Sequence, residues 1–204
     1  MSESAGQPAL VALFGTSADP PTLGHRTLLA GLIRHYPLVR TWASDNPFKT
    51  HGAPLAVRAA LLEAVVESLE SPKLRLDQSL SSPRALDTLK RAAQQWPDAE
   101  LVFVVGSDLL PQIQRWYAAD EILHRCRLAV VPRLGWPLDS LQIEQLNQRG
   151  GRVEVLPLEI PATASSAIRR HPDPQLVPPE LWPVLLEQNL YGLRTCQASR
   201  PPLR

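Results

Sequence analysis

The stretch of this sequence richest in chemistry is Phe14-Gly15-Thr16-Ser17-Ala18-Asp19-Pro20-Pro21-Thr22-Leu23-Gly24-His25, which runs from an aliphatic segment into one with helical spacing. Gly15 permits close backbone approach, and the amides that follow it suit an anion. Thr22 and His25 are three positions apart, so one helix face carries both. A phosphate fits between them. The plainer alternative has Pro20-Pro21 ending a loop, Thr22 capping the helix and His25 lying on the surface. Further polar clusters follow other aliphatic runs: Ser44-Asp45-Asn46-Pro47-Phe48-Lys49, Gly106-Ser107-Asp108 and Ser165-Ser166.

The elements that must position these residues alternate in type. Ala9–Phe14, Val39–Ala43, Lys73–Leu76, Leu101–Val105, Arg127–Val131 and Arg152–Leu156 are short aliphatic runs bounded by turn residues and read as strands, several of them buried on both faces. Leu28, Leu29, Leu32, Ile33 and Tyr36 form one apolar helical stripe, and Leu61, Leu62, Val65, Val66 and Leu69 form another. Pro54 suits the first turn of that second helix, and Asp87 to Ala93 belong to a third helical stretch. Strand and helix in turn predict an α/β fold, a doubly wound and mainly parallel sheet with helices on both faces. Ligands of such folds bind beyond the carboxyl ends of the strands, which is where the polar clusters lie. A single domain is expected over residues 8–193, with 194–204 as a polar, frayed tail.

Composition narrows the function classes. The chain has 204 residues, with 21 Lys+Arg against 20 Asp+Glu and a formal charge of +1, so no global field draws it to nucleic acid or to a membrane surface. Cys126 and Cys196 form no CxxC pair, which argues against a zinc knuckle and for a reducing compartment. No run approaches the roughly 20 apolar residues of a membrane span, and no signal-peptide pattern opens the chain. A cytoplasmic protein is expected, and the sequence leaves open whether it forms a homo-oligomer.

The opening stretch resembles the nucleotidylyltransferases of the HxGH superfamily, and in particular the bacterial nicotinate-nucleotide adenylyltransferases, whose first strand ends in Gly-Gly-Thr-Phe-Asp-Pro and continues to His-x-Gly-His. Gly15, Asp19, Pro20, Gly24 and His25 match without a gap. Thr16, Ala18 and Thr22 replace the second Gly, the Phe and the first His; pantetheine-phosphate adenylyltransferases also carry Thr at the last position. Asn46-Pro47-Phe48-Lys49 resembles the family's Asn-x-Pro-x-His-Lys. Gly106-Ser107-Asp108 with Trp116 and Glu121-Ile122-Leu123 resembles its Gly-x-Asp, Trp and Glu-Ile-Leu. Val131-Pro132-Arg133, Ala164-Ser165-Ser166-Ala167-Ile168-Arg169 and Leu190-Tyr191 are similar to its Ala-Pro-Arg, Ser-Ser-Thr-x-Ile-Arg and closing Leu-Tyr.

This resemblance implies adenylyl transfer from ATP to nicotinate mononucleotide, in which the acceptor's phosphate attacks the α-phosphorus in line and pyrophosphate leaves. By that likeness, His25 and Thr22 hold the α-phosphate, with Lys49 and Arg169 as further phosphate contacts. Gly15, Thr16, Ser17, Gly24, Gly106, Asp108, Ser165 and Ser166 line the ATP side. Asp108 would accept from ribose hydroxyls or cap the helix from Leu109. Trp116 is expected to stack on the pyridine ring, its alternative being core packing. Mg²⁺ comes with ATP, since the sequence shows no dedicated carboxylate cage. The family's Ser-Tyr-Thr before Asp-Thr-Leu is replaced by Pro83-Arg84-Ala85-Leu86. Asn46, Arg84 and Trp116 therefore form the acceptor side, with Arg84 either pairing with a carboxylate or marking another anionic acceptor. Two rival readings are an adenylyltransferase of the same fold with a different phosphorylated acceptor, and a noncatalytic nucleotide-binding module. His35, His51, His124 and His171 have no ligand-like spacing and read as surface or packing residues; Arg58 and Arg133 are weaker candidates for phosphate contacts.

Overall fold

In the computed structural model, residues 10–45, 49–161 and 163–193 are described. The chain order is β1 (Leu10–Thr16), α1 (Leu23–His35), β2 (Leu38–Ala43), α2 (Leu55–Ser68), β3 (Leu74–Leu76), α3 (Ala85–Gln95), β4 (Glu100–Gly106), α4 (Leu110–Ile113), α5 (Ala119–Arg125), β5 (Arg127–Val131), α6 (Ser140–Gln148), β6 (Arg152–Val155), α7 (Ser165–Arg170) and α8 (Trp182–Glu187). All six strands pair in parallel, in the order β3-β2-β1-β4-β5-β6. The expected doubly wound sheet is present.

The period-two alternation of the central strands divides the core. Ala12 and Phe14 of β1, with Val102 and Val104 of β4, face one layer, which also holds Leu28, Leu29 and Leu32 of α1 and Leu61, Leu62 and Val65 of α2. Val11 and Leu13, with Leu101, Phe103 and Val105, face the other, against Leu86 and Leu89 of α3, Ile122 and Leu123 of α5 and Leu146 of α6. Both faces of β1 and β4 are covered, so their sequences read as unbroken aliphatic runs. Pro54 is the N-cap of α2, one position ahead of the expected first turn, because its extended backbone (ψ 152°) ends the preceding loop.

The strand order reverses between β1 and β4. Successive crossovers leave toward opposite edges there, so the loops after the two strands diverge and open a crevice at their carboxyl ends. Gly15-Thr16 and Gly106 end the two strands that flank it. Among the described residues, no helix is long and apolar enough to cross a membrane.

Candidate active site

A cleft of about 1300 Å³ lies at this switch point. Of the candidates within the described residues, Gly15, Thr16, Ser17, Thr22, Gly24, His25, Lys49, Arg84, Gly106, Asp108, Trp116, Ser165, Ser166 and Arg169 line it, and of the two weaker ones Arg133 does and Arg58 does not. Asn46 lies outside the described residues. The sheet thus gathers on one rim residues spread over 155 sequence positions, Gly15 to Arg169.

At the centre, Thr22 is the N-cap of α1 and His25 takes the third helical position, forming a capping box in which an imidazole stands where a Glu or Gln is usual. The Thr22 backbone N–H donates to His25 Nδ1 at 3.0 Å. A backbone amide can only donate, so Nδ1 is the unprotonated nitrogen and the proton of the neutral ring sits on Nε2. Nε2–H meets Thr16 Oγ1 at 2.8 Å on the cleft wall. Burial, reinforced by the Arg133 guanidinium, pushes the His25 pKa down to about 4, which keeps the ring neutral at pH 7. Thr22 does cap the helix, but His25 is no surface residue. The same local geometry serves both helix and site.

The start of α1 is tied to the segment before α7. Thr22 Oγ1 lies between His25 Nδ1 (2.8 Å) and the Thr163 carbonyl (3.0 Å), its single hydrogen shared between these two acceptors, and the Thr163 hydroxyl accepts from the Gly24 N–H (2.8 Å). Ser165 Oγ donates to the Pro20 carbonyl at 2.8 Å, which brings the first turn of α7 onto the same rim. Arg169 Nη1 donates to the Asp19 carbonyl at 2.6 Å and is 3.3 Å from its carboxylate. Lys49 is exposed on the opposite lip.

Toward the β4 side, Asp108 lies within a 3-10 turn, Ser107–Leu109, and its carboxylate accepts from Arg133 Nη1 at 2.9 Å. It does not cap α4, whose N-cap is Leu109. The Ser107 hydroxyl accepts from the Arg133 N–H and donates to the Trp136 carbonyl, pinning the loop after β5 to the loop after β4. Trp116 packs edge-on against Phe103, ring centroids 6.2 Å apart, while its other side borders the cleft, so packing and lining coexist. Arg84 Cζ sits 4.5 Å over the Tyr117 ring, a cation–π contact at the same end of the cleft. Among the described residues, no group of three or more His, Cys, Asp or Glu side chains could hold a metal ion.

Residues 13–171 match the family described as Cytidylyltransferase-like. A protein from Synechocystis sp. named "Probable nicotinate-nucleotide adenylyltransferase" is 36% identical, over 89% of this chain and 98% of its own. The chain belongs to the nicotinate-nucleotide adenylyltransferase family. A Chlorobaculum parvum protein of the same name is 32% identical over 88% of this chain and 97% of its own. The fold matches that of Plasmodium falciparum nicotinic acid mononucleotide adenylyltransferase complexed with NaAD, with a TM-score of 0.73 and 18% identity over 91% of this chain and 98% of that one.

The readings of Arg58 and His51 change in this family member, and that of Arg133 does not. Arg58 is a fully buried strut, not a phosphate contact: it donates to the carbonyls of Ala53, Ser17 and Ser44 and to Asp45, joining the loops after β1 and β2. Its spacing from Leu61, Leu62 and Val65 already puts it on the buried face of α2. Arg133 does reach the cleft, paired with Asp108. His51 lines the cleft with Nδ1 3.4 Å from the Asp19 carboxylate. Thr163 and Tyr117 were not among the sequence candidates, since one acts through partners about 140 positions away and the other through a neighbouring loop. Gly15 is required by the protein itself: a Cβ there would stand 2.6 Å from the Trp42 ring.

Proposed function

We propose that this protein transfers the adenylyl group of ATP to nicotinate mononucleotide, giving nicotinate adenine dinucleotide and pyrophosphate in NAD biosynthesis. The observation that carries the reading is the neutral His25, its Nε2–H set on the cleft wall beside Thr16 at the β1–β4 switch point. In-line attack by an oxygen of the acceptor's phosphate forms a bond to the α-phosphorus, and the bond to the bridging oxygen of the leaving pyrophosphate breaks. Charge builds on the α-phosphate oxygens as this happens. A neutral ring cannot offer a full charge, but a donor with a fixed tautomer stabilises that developing charge without reorganising. The enzyme's remaining task is to position and neutralise.

The residues divide accordingly. His25 and Thr22 attend the α-phosphate, and the Gly15, Thr16 and Ser17 backbone lines the same wall. The amides opening α7 at Ser165 and Ser166 receive the outer phosphates with Lys49 and Arg169. Gly24, Gly106 and Asp108 complete the ATP side, and Asn46, Arg84 and Trp116 form the acceptor side. Mg²⁺ travels with ATP as part of the substrate and offsets its triphosphate charge. The Plasmodium falciparum protein of like fold is complexed with NaAD, the dinucleotide this reaction would release.

Arg84 supports a second reading, an acceptor carrying a different anionic group, because its guanidinium stands at the acceptor end. The test is pyrophosphate release with ATP and Mg²⁺, run in parallel with nicotinate mononucleotide and its amide counterpart. Rapid release with the acid is expected. Silence with both, in a protein that still binds ATP, points to the other acceptor or to a noncatalytic nucleotide-binding module.

A further inference from the structure

Asp19 and Tyr191 stand behind the cleft wall rather than on it. The Asp19 side chain is only 1% exposed, yet four groups from three parts of the chain converge on its carboxylate. Tyr191 Oη donates to Oδ1 at 2.9 Å, the Gly52 N–H donates to Oδ2 at 2.8 Å, His51 Nδ1 lies 3.4 Å away and Arg169 Nη1 3.3 Å away. Arg169 and Tyr191 also crowd Gly52: a Cβ there would come within 2.9 Å of Arg169 Cδ and 3.1 Å of the Tyr191 ring. The glycine leaves just the space in which the arginine stem lies. Burial, then the Asp19 hydrogen bond, drives the Tyr191 phenol far above its ordinary pKa, so it donates at every working pH.

This arrangement creates a competition. A buried carboxylate demands donors, and Arg169, a cation beside it, is one that the proposed reaction also needs. With Tyr191 Oη and the Gly52 amide satisfying the carboxylate, the guanidinium is held at Asp19 by one nitrogen, Nη1. Remove the phenol hydroxyl and Oδ1 is left unsatisfied, so the carboxylate draws the guanidinium inward.

We propose that Tyr191, acting through Asp19, is a positioning residue for Arg169, so that the closing Leu190-Tyr191 segment sets where the guanidinium meets the triphosphate. The proposal rests on the adenylyltransferase reading, but its test does not require turnover. ATP affinity is measured by calorimetry, with KM for ATP alongside, for Tyr191→Phe, Gly52→Ala, Arg169→Ala and the two double variants that include Arg169→Ala. Tyr191→Phe is expected to weaken ATP binding about tenfold, within the range of coupled neighbours, and to leave it unchanged when Arg169 is already Ala. Gly52→Ala displaces the arginine stem directly and is expected to behave alike, which keeps the test decisive if Tyr191→Phe folds poorly. Unaltered ATP affinity in Tyr191→Phe and Gly52→Ala, or losses that simply add to that of Arg169→Ala, would overturn the proposal. A wild-type protein that binds ATP with this coupling but turns over no acceptor would instead count against the proposed reaction.

Discussion

His25 carries two duties that are usually separate. Its Nδ1 accepts from the Thr22 amide and so helps to cap the start of a helix, and that bond dictates which nitrogen offers a proton to the cleft. The depressed pKa has a consequence for folding. Unfolded, the imidazole titrates near 6.5; folded, near 4, chiefly through burial and secondarily through Arg133. Between those values the unfolded chain binds the extra proton, so stability is fully present above pH 6.5 and falls as the pH drops toward 4, by at most about 1.4 kcal/mol per pH unit. Urea melts between pH 7.5 and 4.5 should show this loss, and His25→Gln should flatten it. A slope that survives the substitution would show that other groups produce it.

At the scale of elements, the strands were legible because their physics is local. A strand covered on both faces must be apolar through its covered length, and residues 10–14 of β1, 101–105 of β4 and 128–131 of β5 are; the polar residues that follow such runs then fall on the binding rim of a parallel sheet. What eluded the sequence depends on contacts between distant loops. Arg58 looks like a free cation until three carbonyls close around it, and His51 looks idle until Asp19 is brought beside it. Asp108 shows the limit from another side, since it sits inside a tight turn instead of capping a helix. Thr163 joins α1 to the approach to α7 through its carbonyl and its hydroxyl, and nothing in a residue flanked by Ala162 and Ala164 signals that role. Thr163→Val keeps the shape and removes the hydroxyl, leaving the Gly24 amide unpaired. A loss of about 1–3 kcal/mol in urea melts is expected, together with a raised KM for ATP as the opening turn of α7 shifts. Unchanged values of both would mean that the link is dispensable.

Across the whole molecule, one crevice between β1 and β4 collects donors from the first loop, the far lip at Lys49 and the last third of the chain. The sheet and its two apolar layers form a rigid frame, and catalysis on this account is the positioning of phosphates against that frame. A binding module would use the same donors without discriminating between ground state and transition state. An enzyme concentrates its contacts on the transition state, which acts on kcat. The most direct measurement is therefore kcat for dinucleotide formation alongside the Kd for ATP, in the wild-type protein and in His25→Ala. The account predicts that kcat falls about 10²–10³-fold, the effect of losing one donor to a developing oxyanion, while ATP affinity changes far less. A substitution that weakens ATP binding and kcat/KM alike but leaves kcat intact would contradict it.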